Sequence, residues 1–337
     1  MNTPQAPCPI CDTRAQKIYD RYNGYLEGTA YDIYECRSCM TSFVLSGQGH
    51  GAVYDIIYGR VDSAAYDRYF MYAEGIKAAK NKIKFLCQQE EVYYPIWKYL
   101  KKIKELKILE IGCSYGYLTH AMRQMGHDAV GIDIAEQAIR YAVEHFGDHF
   151  RVGDLAAYKK NSQDTYDLIV ATELIEHIQD PNAFLADCSS MLKDDGAVLL
   201  TTPNKDFAAG NNAIWKTDLP PVHLLWAGQR SMESLSRHNG MRALFLSFKG
   251  SYPHTENKLL SYLIMKFKKE PQPHALLKDG TTNPTANSSR MKNLIKFVAI
   301  QIPPVRIASN LFYDIFFKRS KSLCALLRPA KKPYDNE

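Results

Sequence analysis

Lys107-Ile108-Leu109-Glu110-Ile111-Gly112-Cys113-Ser114-Tyr115-Gly116-Tyr117-Leu118-Thr119 is the stretch around which the chain is organised. Lys107 to Ile111 reads as a short buried strand. Gly112 and Gly116 make a turn, and an amphipathic helix follows through Met125. In an open α/β sheet such a unit brings bare backbone close to a ligand at the carboxyl end of the strand. Glu110 sets the polarity of that place, since a carboxylate suits a cationic ligand better than a phosphate. A dinucleotide fingerprint wants glycines at the first, third and sixth positions of the turn. Ser114 and Tyr117 stand at the third and sixth here, so a pyrophosphate is a poor match.

The residues downstream extend the pattern. Ala129 to Asp133 is a second short strand that ends in an acid 21 residues after Gly112, where a carboxylate can accept both ribose hydroxyls of an adenosine. Val152-Gly153-Asp154-Leu155 reads as a third strand end, with Asp154 suited to an adenine amino group. Tyr166 to Ala171 and Gly196 to Thr202 read as the fourth and fifth strands. The helix-compatible stretches between them have the length that parallel crossovers need.

The E-x-G-C-S-x-G turn, Asp133, Asp154, the phrase ATELIEHIQDP (171–181) and the phrase MLKDDGAVLLTTPN (191–204) together resemble the class I S-adenosylmethionine-dependent methyltransferases over about residues 105–250. The resemblance implies a Rossmann-like sheet with helices on both faces. It also implies Glu110, Gly112, Ser114, Gly116, Asp133, Asp154 and Glu173 as cofactor contacts. Ser114 replaces the commoner middle glycine. Within the family the chain is similar both to the ubiquinone-type O-methyltransferases and to the zinc-ribbon sugar C-methyltransferases.

Cys8-x-x-Cys11 and Cys36-x-x-Cys39 are two knuckles separated by 24 residues. Each directs two thiolates at one point, and two knuckles complete a tetrahedral Zn²⁺ site. Residues 1–46 therefore read as a zinc ribbon, with Gly24 and Gly28 in a hairpin and strands at 33–35 and 43–45. Asp12 and Met40 stand where knuckles usually carry glycine. The ribbon is nearly charge-balanced and has no basic stripe, and Ala171-Thr172-Glu173-Leu174 differs from the N/D-P-P-Y phrase of base-amino methyltransferases. Both features argue against a nucleic-acid partner, although a zinc ribbon gripping RNA and a non-catalytic binding protein stand as alternatives.

Residues 47–104 read as a tyrosine-rich helical cover, including Tyr54, Tyr58, Tyr66, Tyr69, Tyr72, Tyr93 and Tyr94. The catalytic domain follows at 105–250. Lys193 to Gly196 is expected to turn into strand five, Trp215 to Gly228 to form an insertion, and Arg242 to Lys249 to be strand six. No seventh strand is legible. Residues 251–337 read as a linker and a basic helical extension; between Arg290 and Lys332 only Asp314 opposes Arg290, Lys292, Lys296, Arg306, Lys318, Arg319, Lys321, Arg328, Lys331 and Lys332. Such helices suit either an anionic membrane face or packing on the core. No apolar run reaches the roughly 18 residues of a membrane span, and the first residues lack a basic-then-apolar signal. A cytoplasmic protein, or one peripheral on the inner membrane face, is the expectation.

Methyl transfer to a hydroxyl or carbon acid needs a base, and imidazole titrates in the right range. His177 follows strand four and His223 lies in the insertion, between Trp215 and Trp226. Glu173, Glu176 and His177 share one face of a helical turn. In ubiquinone-type O-methyltransferases a similar phrase is associated with a divalent metal. His223 resembles by position a histidine of the sugar C-methyltransferases. The expected acceptor is a small molecule or glycan with a sugar-like or other hydroxyl, with His223 or His177 as general base.

Overall fold

A computed structural model describes residues 5–45, 67–207, 218–267, 272–283, 300–317 and 319–330. Tyr54, Tyr58, Tyr66, Trp215, Arg290, Lys292, Lys296, Lys318, Lys331 and Lys332 lie outside them.

The amino-terminal strands are β1 (Gln5–Pro7), β2 (Arg14–Asn23), β3 (Ala30–Glu35) and β4 (Ser42–Val44). Helices α1 (Asp67–Ala78), α2 (Lys82–Gln89) and α3 (Tyr93–Leu100) follow. Next come β5 (Lys107–Ile111), α4 (Tyr117–Gln124), β6 (Asp128–Asp133), α5 (Glu136–Phe146), β7 (Phe150–Val152), α6 (Leu155–Asn161) and β8 (Tyr166–Thr172). A 3₁₀ turn, Ile175–His177, leads to α7 (Pro181–Ser190), β9 (Leu192–Pro203), β10 (Leu225–Trp226), α8 (Gln229–His238) and β11 (Met241–Phe245). The chain closes with α9 (Lys258–Lys266), α10 (Pro303–Phe316) and β12 (Ser322–Pro329). No described helix is long and apolar enough to cross a membrane.

The large sheet has seven strands in the order β11-β12-β9-β8-β5-β6-β7. β7, β6, β5, β8 and β9 are parallel, and β12 runs antiparallel to both β9 and β11. Helices cover both faces, so the central strands read as near-continuous apolar runs: Ile108 and Leu109 of β5, Leu168 to Ala171 of β8, and Val198 and Leu199 of β9 are all fully buried.

Several sequence expectations are corrected here. The third strand stops at Val152, and Asp154 instead caps α6, its Oδ1 accepting from Ala157 N at 2.7 Å. Lys193 to Gly196 lies within β9, as a bulge: Tyr166 pairs with Leu192 while Leu168 pairs with Ala197. The larger correction is the seventh strand. It comes from the region read as a basic helical extension, where Ser322 to Leu327 are six consecutive buried residues. A strand covered on both faces loses its alternation and cannot be told from a buried helix by periodicity. Of the supposed basic face, Arg306 is buried within the α9–α10 pair and Arg328 pairs across the sheet with Arg242.

The small sheet, β1-β2-β3-β4-β10, shows what the insertion does. Leu225 and Trp226 add a last strand to the amino-terminal sheet, opposite Phe43 and Ser42. Helix starts hold the knuckles as well: Asn182 Nδ2 donates to Pro9 O at 2.9 Å, Arg230 to Ser38 O at 3.0 Å and Ser231 Oγ to Cys39 O at 3.1 Å. The amino-terminal unit is thus docked on the carboxyl edge of the large sheet.

Candidate active site

The site begins with the turn after β5. Gly112 and Gly116 have φ of +75° and +76°, a region that costs little only without a Cβ. At Gly116 a Cβ would also fall 2.5 Å from the Phe150 ring and 2.8 Å from Ala142. Ser114 takes φ +49° between them. It adopts the left-handed conformation without being glycine, and its amide donates to Asp133 Oδ2 at 2.8 Å. Asp133 Oδ1 accepts from Ala135 N, also at 2.8 Å. Both carboxylate oxygens are therefore held in place by backbone donors, with lone pairs remaining for a ligand's hydroxyls. Burial raises the Asp133 pKa, and its backbone donors oppose that shift.

Glu110 is 2% exposed, beneath the turn rather than lining its open side. Its Oε2 accepts from the Thr119 hydroxyl of α4, and burial pushes its pKa up to about 8. It acts on the turn from below, tying strand to helix. Two residues that pattern reading passed over stand on the open side. Ile134 is 67% exposed and Val152 53% exposed, next to Asp133 and near Asp154. Their signal was an apolar residue left in solvent at a strand end, which suits the face of a purine.

Above the turn, α1 supplies an aromatic wall. Phe70 meets Tyr115 with centroids 5.5 Å apart, and Tyr69 stacks on Tyr117 at 6.5 Å. Tyr72 Oη donates to Glu90 at 2.8 Å, and Tyr93 Oη donates to Tyr117 Oη at 3.2 Å. Tyr69, Tyr72 and Tyr93 thus all pack against Tyr117 just after the turn, whereas Tyr94 packs on Trp97.

At the end of β8, Glu173 has φ +49° and its amide donates to Thr201 O at 3.0 Å. Its Oε1 is buried without a hydrogen-bond partner, and burial, with the Glu90 charge next, raises its pKa to about 8. An orphaned carboxylate beside a glycine turn is a place for a cation. Glu176 is buried as well, and neither of its oxygens has a partner.

His177 Nδ1 donates to Val222 O at 2.6 Å, so Nε2 is the acceptor nitrogen. Its ring stands edge-on to that of His223, with centroids 4.8 Å apart. Burial lowers both histidines to about 3. His223 is 7% exposed and its Nδ1 lacks a partner. Both rings are therefore neutral in this fold, whereas a general base works best with a pKa near the working pH. One carboxylate oxygen of Glu176, one nitrogen of His177 and one of His223 lie within 4.8 Å of one another. Sequence reading grouped Glu173, Glu176 and His177, but the structure adds His223 to the last two.

The Sγ atoms of Cys8, Cys11, Cys36 and Cys39 also lie within 4.8 Å of one another, with Cys8–Cys39 and Cys11–Cys36 each at 3.5 Å. The odd residues of the knuckles are explained. Asp12 (φ +54°) and Met40 (φ +61°) take the left-handed conformation that glycine usually supplies.

A family model described as a methyltransferase domain matches residues 47–244. The ubiquinone biosynthesis O-methyltransferase of Bos taurus is 28% identical over 186 residues, 48% of this chain and 50% of that protein. Its counterpart in Parvibaculum lavamentivorans is 35% identical over 120 residues, 34% of this chain and 47% of that one. The chain spans about half the length of these curated relatives. Among solved structures, a plantazolicin methyltransferase, BpumL, in complex with SAH matches with TM-score 0.41 and 14% identity, over 82% of this chain and 93% of that one. A SAM-dependent methyltransferase from Archaeoglobus fulgidus matches with TM-score 0.43 and 16% identity, over 77% and 99%.

Proposed function

The chain belongs to the methyltransferase domain family, and from that premise we propose that it transfers the methyl group of S-adenosylmethionine to a hydroxyl of a small molecule. The observation that carries this reading is the meeting of the Gly112–Gly116 turn, the Asp133 carboxylate and the unpartnered Glu173 oxygen at the strand ends. Asp133 would hold the ribose hydroxyls, and Ile134 and Val152 the adenine face. Asp154, exposed at the start of α6, would meet the adenine amino group. Glu173 lies where it would offset the positive charge of the cofactor. Bound, the cofactor supplies an activated methyl on a sulfonium, so the protein's part is alignment and proton removal.

For the proton, Glu176, His177 and His223 fit a divalent cation better than a free base. Two neutral imidazoles and an unpaired carboxylate are a familiar donor set. A cation there would neutralise the buried Glu176 and make an acceptor hydroxyl more acidic. Ubiquinone-type O-methylation favours a phenolic acceptor, and a glycan hydroxyl is the second reading. The four amino-terminal cysteines are proposed to hold one structural Zn²⁺.

The test is tritiated methyl transfer from S-adenosylmethionine to a panel of catechols and glycosides, with and without chelator and added Mg²⁺ or Mn²⁺. Transfer to a catechol that depends on the added cation and is lost in His223→Ala supports the assignment. Full activity of His223→Ala in chelator would remove the cation and His223 from the mechanism. Failure to bind S-adenosylhomocysteine at all would remove the function.

A further inference from the structure

Helix α10 is built outside-in. Apart from Tyr313, which packs against Phe207 and Tyr262, its inward residues are polar: Arg306 Nη1 donates to His254 O and Ile300 O, and Asn310 Oδ1 accepts from Lys258 N at 2.7 Å. Asp314 pairs with Lys258 at 3.0 Å, with both side chains under 10% exposed. Its outward face is apolar: Val305, Ile307, Leu311, Phe312, Ile315 and Phe316 are each at least 40% exposed. A surface helix ordinarily does the reverse, and a continuous exposed apolar face marks a docking site.

What should cover this face follows from its rim. Residue 254 meets 306, 258 meets 310 and 314, and the Tyr262 ring lies 4.7 Å from Phe317, so α9 and α10 run parallel. Their carboxyl ends therefore share one side. There Phe267 is 74% and Phe316 64% exposed, beside exposed Lys266 and Arg319. Asp314 is the only acid among the described residues of the two helices, and Lys258 neutralises it. A second copy docked by this same face would present the same cations, with no free acid on the described residues of its two helices to meet them. Acidic headgroups over an apolar interior match both parts of the face.

We propose that the outward face of α10, with the carboxyl end of α9, docks the protein on an anionic lipid bilayer. This stands apart from the methyl-transfer reading. The experiment sediments the full chain with vesicles of phosphatidylcholine and phosphatidylglycerol, and with phosphatidylcholine alone. The wild type should bind the mixed vesicles more strongly, and added salt should weaken that binding. Phe312→Ser/Phe316→Ser, both at exposed positions, should lower the partition coefficient by at least about tenfold, with circular dichroism and S-adenosylhomocysteine affinity unchanged. Equal binding to the two vesicle types would overturn the proposal, as would wild-type partitioning of the double variant. A chain that ignores both vesicles, but whose dimer dissociates in the double variant, would overturn it in favour of a second copy.

Discussion

Asp133→Ala tests the site most directly, because the carboxylate has two separable tasks. The first is intramolecular: Oδ2 and Oδ1 each accept a backbone amide at 2.8 Å, from Ser114 and Ala135. Removing the acceptor leaves two donors unpaired in a partly buried place, at about 1–3 kcal/mol each if water does not replace it. The second task is ligand binding. Two ribose hydroxyls donating to a charged acceptor contribute about 1.5–3 kcal/mol each. Allowing for partial rescue by water, about 3 kcal/mol of affinity should go, which is roughly a hundredfold in Kd. Calorimetric titration with S-adenosylhomocysteine gives the affinity, and thermal melting of the apo protein gives the stability. Both should fall. Unchanged Kd would refute the placement of the ribose. Unchanged melting with a weakened Kd would refute the bracing of the turn.

Three further outcomes are expected. Glu110, raised to about 8 in the fold, keeps its proton there while an unfolded Glu loses it near pH 4.5, so it costs stability progressively as pH rises from about 4.5 to 8; Glu110→Gln, which keeps an acceptor for Thr119, should flatten that part of the melting-temperature profile, and an unaltered profile would refute the assignment. His177 and His223, depressed to about 3, act in the opposite sense: their contribution is present above about 6.5 and lost as pH falls toward 3, so a metal-free protein whose melting temperature is level from pH 7 to pH 4 would contradict their burial as neutral imidazoles. Ala325→Pro, in a strand paired on both sides through Leu200 and Phe245, should abolish soluble folded protein, whereas a soluble variant that binds S-adenosylhomocysteine would show β12 to be dispensable.

The parallel half of the sheet and the turn were legible in the sequence because both are local. A buried parallel strand is a short apolar run, and a ligand turn announces itself by glycines whose missing Cβ is a local requirement, as at Gly112 and Gly116. Asp133 followed from spacing alone, since a helical crossover fixes how far on the next strand ends. The paired C-x-x-C knuckles were equally plain, although why Asp12 and Met40 are accepted appeared only in their φ values. What pattern could not reach were pairings between distant segments. β12 lies more than 75 residues beyond the strand it pairs with in β11, and its uniform burial erased the alternation that marks a strand. Leu225 and Trp226 are too short a run to read as a strand at all, yet they complete the amino-terminal sheet. His223 is brought to Glu176 and His177 only because that strand pulls the insertion across the end of β8. Sequence therefore determined which residue types surround the site, while tertiary pairing decided which of them touch. Periodicity records a residue's own environment, and contact between remote segments leaves no period behind.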